Sequence, residues 1–174
     1  MNTIYQAPVD SFTGFNMNYP HVMKSYAFTF KTIEEAYRLA HTIAEICNFN
    51  EKKIELGLNE VFFNAIEHGN LNISNKEKTE LRVQNHWQEE IQKRLNEPEH
   101  RLKYVDVQVD ITPDLICIKV TDQGNGFDWK ALEENALPSP LAYHGRGLLV
   151  AKSMCFDNLE FSKKGNQVYC WIYK

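Results

Sequence analysis

Two alternating apolar runs leave this chain few folds to choose from. They are Val105-Asp106-Val107-Gln108-Val109-Asp110-Ile111 and Leu115-Ile116-Cys117-Ile118-Lys119-Val120, with Thr112-Pro113-Asp114 between them. Runs of that length around a short polar turn predict an antiparallel hairpin. Leu159 to Ser162 and Val168 to Tyr173 predict a second hairpin around Lys164-Gly165-Asn166. Tyr26-Ala27-Phe28-Thr29-Phe30 alternates aromatic with small residues and predicts one more strand. Strands arriving as hairpins, with helical segments between them, give an α+β fold. The expected architecture is a two-layer α/β sandwich, a mixed and mostly antiparallel sheet with helices on one face. At 174 residues the chain suits one domain with a substantial core.

The helical segments have their own signals. Thr32-Ile33-Glu34-Glu35 is a capping-box pattern, and the helix it starts is expected to reach about Cys47. Asn50 is placed to cap a second helix running to about Glu67, with Gly69-Asn70 ending it. Residues 75–103 form a charged insertion, read as a partly helical, solvated excursion that carries no chemistry. Gly147 to about Met154 reads as a short helix. Residues 1–24, with Pro8, Gly14 and Pro20, are expected to be an extended lead-in to a domain at 25–174.

Charge and composition remove several classes of function. A net charge of −4 argues against a general nucleic-acid binder, which ordinarily carries a basic excess. No apolar run approaches the ~20 residues that span a bilayer, so no membrane segment is expected. The opening residues lack a basic start and an apolar stretch, so no secretory signal is expected either. Cys47, Cys117, Cys155 and Cys170 stand apart, without a CxxC pair or a histidine at zinc spacing. Cys117 and Cys170 fall inside strand-like runs and read as buried thiols. A cytoplasmic protein fits all of this.

Three segments carry candidate chemistry. On the second helix, Ile54, Leu58, Val61, Phe62 and Ala65 make one apolar face, while Glu60, Asn64, Glu67 and His68 share another. Asparagine is a poor helix former, so Asn64 is unexpected mid-helix unless its side chain is used. A carboxylate and an amide oxygen one turn apart suit magnesium: the amide can ligate a hard cation, and the carboxylate can orient or deprotonate a hydroxyl. The second segment is Asp122-Gln123-Gly124-Asn125-Gly126, an acid at a strand end followed by two glycines that permit tight turns and close backbone approach. Its carboxylate could accept a hydrogen bond from an exocyclic amine, and its glycine pattern alone equally describes an ordinary turn. The third is His144-Gly145-Arg146-Gly147-Leu148, where glycines precede a helix and its free N–H groups could meet phosphate oxygens. Residues 128–144, with Pro138-Ser139-Pro140, suit a lid over a triphosphate.

In this order the three segments resemble the N-box and the two glycine boxes of the histidine-kinase-like ATPase superfamily, the group with the Bergerat nucleotide fold. The resemblance runs from about Tyr26 to Lys174. Within the superfamily the chain most resembles bacterial anti-sigma-factor serine kinases and related partner-switching domains. The resemblance implies ATP as co-substrate and Mg2+ as cofactor. Asn64 would ligate the metal, Glu60 would act as the base and Asp122 would hold the adenine amine. Gly124 and Gly126 would shape the base pocket, and Gly145, Arg146, Gly147 and Leu148 would line the phosphates. One departure is visible: Gly165-Asn166 stands where the family often has Gly-Thr.

The function so implied is a serine/threonine protein kinase that phosphorylates an anti-sigma-factor antagonist. The alternative is a non-catalytic ATP-binding module that sequesters a sigma factor or regulator. A sensor histidine kinase fragment fits less well, because one predicted helix precedes the N-box helix and His41 within it reads as a surface residue. The lead-in and the first helix's apolar face are a candidate homodimer surface.

Overall fold

The computed structural model describes residues 22–127 and 146–174. Among these residues five strands form one sheet: β1 (Lys24–Phe30), β2 (Val105–Ile111), β3 (Leu115–Thr121), β4 (Asn158–Phe161) and β5 (Gln167–Tyr173). Their spatial order is β1-β2-β3-β5-β4, and every pairing is antiparallel. The alternation read from the sequence is the alternation of the pleat. Phe28, Val107, Ile118 and Cys170 are cross-strand neighbours or near neighbours on the buried face, while Asp106 and Thr29 point outward.

Helices cover the buried face. α1 (Ile33–Cys47) starts in the expected capping box: Thr32 Oγ1 accepts the Glu35 N–H at 3.2 Å, and Glu35 Oε2 accepts the Thr32 N–H at 3.1 Å. It ends at Asn48 in the left-handed region, whose N–H reaches the Ala44 carbonyl. Ile33, Ala36, Leu39, Ala40, Ile43 and Ala44 form its buried stripe. α2 (Glu51–Asn64) runs back beside α1. Burying an isoleucine or leucine contributes about 1.5–3 kcal/mol each, so these two stripes and the sheet face hold the layers together.

Two helices continue as π-helical turns. α2 passes into a wider turn over Ala65–Asn70, and α5 (Arg146–Val150) into another over Ala151–Cys155. Gly57 of α2 makes their close approach feasible, since a Cβ there would stand 2.6 Å from Cys155 Cβ and 2.7 Å from the Phe156 ring.

The insertion contains two helices, α3 (Asn75–Val83) and α4 (Trp87–Asn96). It is more than a solvated excursion. α3 has a capping box of its own on Ser74, and α4 drives Ile91 and Leu95 into the main core. All four cysteines are free and buried, as expected for Cys117 and Cys170. No described helix is long and apolar enough to cross a membrane.

Candidate functional site

Glu60 and Asn64 lie one turn apart on α2, both half-buried. Neither side chain hydrogen-bonds to another described residue. An acid and an amide one turn apart, half-exposed and without a described partner, are available to a ligand. Glu60 also meets α5: a Cβ on Gly147 would stand 2.1 Å from Glu60 Oε2, so a larger residue there would have to push the carboxylate aside.

The other end of the site forms where the wide turn after α2 meets the loop after β3. Gly69 lies flush against Asp122, where a Cβ would be 2.4 Å from Asp122 Cγ. Gly124 is equally close-packed, its own Cβ position lying 2.3 Å from the Gly69 carbonyl oxygen. Asn70, buried, accepts the Gln123 N–H on Oδ1 at 2.8 Å. Asp122 Oδ1 accepts the Gly124 N–H at 2.8 Å. Burial raises the Asp122 pKa above the ordinary carboxylate value, and the Gly124 N–H and then the Lys164 ammonium oppose that rise. No ion pair ties Asp122 to a described residue, so its carboxylate keeps capacity for a ligand donor.

The loop is held from its far side by the β4–β5 turn. Gly126 (φ +78°) and Gly165 (φ +80°) both sit in the region that favours glycine. Each presses backbone to backbone on the other segment, against Lys164 O and Phe127 O respectively. Asn166 Nδ2 donates to the Asp122 carbonyl at 3.1 Å, and the Asp122 N–H donates to Asn166 O at 3.0 Å. The residue that departs from the resembled pattern thus still makes a polar contact beside Asp122.

The structure brings Glu60 to Gly147 and the end of the α2 segment to Asp122 and Gly124. Leu148 packs its side chain on the core. Gly145 and the expected lid at 128–144 lie outside the described residues, as does the side chain of Arg146. Glu67 does not join Glu60 and Asn64: it is fully buried and bonded to the insertion. His68 Nδ1 lies against the Ile73 carbonyl, and burial is the main cause holding its pKa below the ordinary value. Asn70 was missed as a site organiser because an asparagine after glycine reads as a helix stop.

Among the described residues no group of three His, Cys, Asp or Glu is arranged to hold a metal. A magnesium site of one or two protein oxygens completed by phosphates needs no such group. The open Asn64 amide and the Glu60 carboxylate are hard oxygen donors of that kind, so the residues present fit the ion.

A family model described as "Histidine kinase-like ATPase domain" matches residues 28–171. No individually curated protein matches the chain.

Proposed function

Because this chain belongs to the histidine kinase-like ATPase domain family, we propose that it is an ATP- and magnesium-dependent protein kinase of the anti-sigma-factor type. Its substrate would be a serine or threonine of a small regulatory antagonist. The observation that carries the reading is the pair on α2: Glu60 and Asn64, half-buried and without a hydrogen-bond partner among the described residues, with Glu60 against Gly147.

Each group has a task in that reading. Asp122 accepts from the adenine amine, and Gly124 lets the base lie close to the backbone. Gly147 keeps the start of α5 near enough for its N–H groups to meet phosphate oxygens. Asn64 Oδ1 holds the metal, which neutralises charge on the β- and γ-phosphates when bound. Glu60 accepts the proton of the incoming hydroxyl as that oxygen bonds to the γ-phosphorus and ADP leaves. Such transfer asks the protein mainly for positioning and charge balance, which these groups supply.

The test is a calorimetric titration with ATP and magnesium, followed by transfer of labelled γ-phosphate to a co-encoded antagonist. Glu60→Gln should keep nucleotide affinity and lose about 100-fold or more in transfer rate. Normal transfer by Glu60→Gln removes the base assignment. Nucleotide and partner binding without any transfer by the wild type leaves the regulatory-module reading.

A further inference from the structure

We infer that the α3–α4 helix pair is a brace for the nucleotide site, and that Glu67 is the positioning residue through which it acts. The inference rests on the reading of Glu60, Asn64 and Asp122 given above. The wide turn at residues 65–70 spans the gap between the two halves of that site. It begins right after Asn64, and it ends where Gly69 abuts Asp122 and Asn70 receives the Gln123 N–H. Whatever fixes this turn also fixes the metal-side residue relative to the base-side residue.

The insertion fixes it with four donors. Glu67 is wholly buried, and both its oxygens are taken: Trp87 Nε1 donates to Oε1 at 2.6 Å, and the Lys78 ammonium pairs with Oε2. Arg94 Nη1 donates to the Leu71 carbonyl at 2.9 Å, and Lys103 Nζ to the Asn70 carbonyl at 3.1 Å. Arg94 is itself held by Glu77 and Glu90 across α3 and α4. A π turn is rare and occurs mostly as a single turn within a helix, so its place in the chain calls for a local cause. A carboxylate is tolerated without exposure only when fully paired. Together these features make the insertion a clamp on the turn. A decoration of the surface would need neither the buried acid nor the converging cations.

Trp87→Phe tests this: it removes the N–H that meets Glu67, keeps an aromatic ring, and also trims the indole that packs on the core and under Arg82. Mg-ADP affinity should fall about tenfold, the scale of a lost hydrogen bond to a charged group. In an Asn64→Ala background the same change should add little, because the arm being positioned is already gone. Amide hydrogen exchange of the nucleotide-free protein supplies a readout that needs no ligand. Trp87→Phe should speed exchange about tenfold at Leu71, Ile73 and Gln123, and leave the β2 and β3 amides unchanged. Glu67→Gln should share both effects. A lower Tm with unchanged Mg-ADP affinity and unchanged exchange at Gln123 would show a purely structural bond and overturn the brace. If the wild type fails to bind Mg-ADP, the nucleotide reading falls, and exchange at Gln123 alone still decides whether the insertion controls the turn.

Discussion

α1 and α2 lie side by side on one sheet face, yet they follow local rules very differently. α1 has a complete capping box, a left-handed asparagine stop and an uninterrupted buried stripe. α2 begins after Asn50, which is also left-handed (φ 47°) and makes no side-chain cap bond. It carries Gly57 and Asn59 in its interior and runs into a π turn instead of a cap. Asn59 Oδ1 is even buried without a partner among the described residues. Local irregularity in a folded chain tends to collect where a site must be built. On that view α1 supplies stability and α2 supplies the site, a division that substitutions can break or sharpen.

The largest effect should come from the α1 core. Ile43 is fully buried, and Ile43→Ala should cost about 3 kcal/mol through lost burial and the cavity left behind. For a domain of this size that lowers Tm by roughly 10 °C. Measured well below Tm, Mg-ADP affinity should not change. Asn64→Ala should do the reverse, weakening Mg-ADP about tenfold or more while Tm holds within a degree or two. Equal effects of both substitutions on affinity would abolish the division.

Gly57→Ala comes next, and its sign is informative. In an exposed helix interior alanine is favoured over glycine by about 1 kcal/mol. Here the added methyl would meet Cys155 Cβ at 2.6 Å and the Phe156 ring at 2.7 Å. Overpacking of that kind costs about 1–3 kcal/mol, so the net change should be a loss of about 1 kcal/mol. Cys155 ends the helical segment that starts near Gly147, so pushing it outward should also weaken nucleotide binding. A stabilised Gly57→Ala would mean that the spacing of α2 from α5 is loose.

The helix starts differ more gently. Thr32→Ala removes a formed cap and should cost about 1 kcal/mol. Asn50→Gly removes no cap bond and relieves a left-handed side chain, so chemical denaturation should place it within a few tenths of wild type. Equal losses at both positions would show that Asn50 caps α2 in solution.

This contrast also explains what the sequence disclosed. α1 was legible to the residue because every signal in it is local: Thr32 and Glu35 bond each other, and the apolar spacing is regular. The strands were legible for the same reason, their alternation being that of the buried and exposed faces. The polar face on α2 was visible in its residue types, Glu60 and Asn64 above all. The π turn was not, because it is set by groups far along the chain, Trp87 and Lys78 on Glu67 and Gln123 on Asn70. The same long-range bonding hid the role of 75–103, whose charge reads as solvation until its partners are known.

Two histidines carry the comparison down to single protons. His41 on α1 is exposed, and its pKa is raised from 6.5, first by the hydrogen bond to Glu55 and then by the charge of Glu45. His68 in the π turn is lowered from 6.5, first by burial, with the Ile73 carbonyl and Glu67 opposing and Lys78 assisting. The signs of the linkage are therefore opposite. The His41 contribution is fully present below 6.5 and is lost as pH rises through its folded value. The His68 contribution is present above 6.5 and is lost as pH falls through its folded value, because the unfolded chain takes up that proton first. Following both imidazoles by NMR should give His41 titrating above 6.5 and His68 below it. Salt should separate the causes. An exposed pair is screened at high ionic strength, so 1 M KCl should bring His41 back toward 6.5. Desolvation is not screened in that way, so His68 should stay low. Coincident titrations, or two midpoints that move together with salt, would mean that the π turn exposes His68 to water as freely as α1 exposes His41.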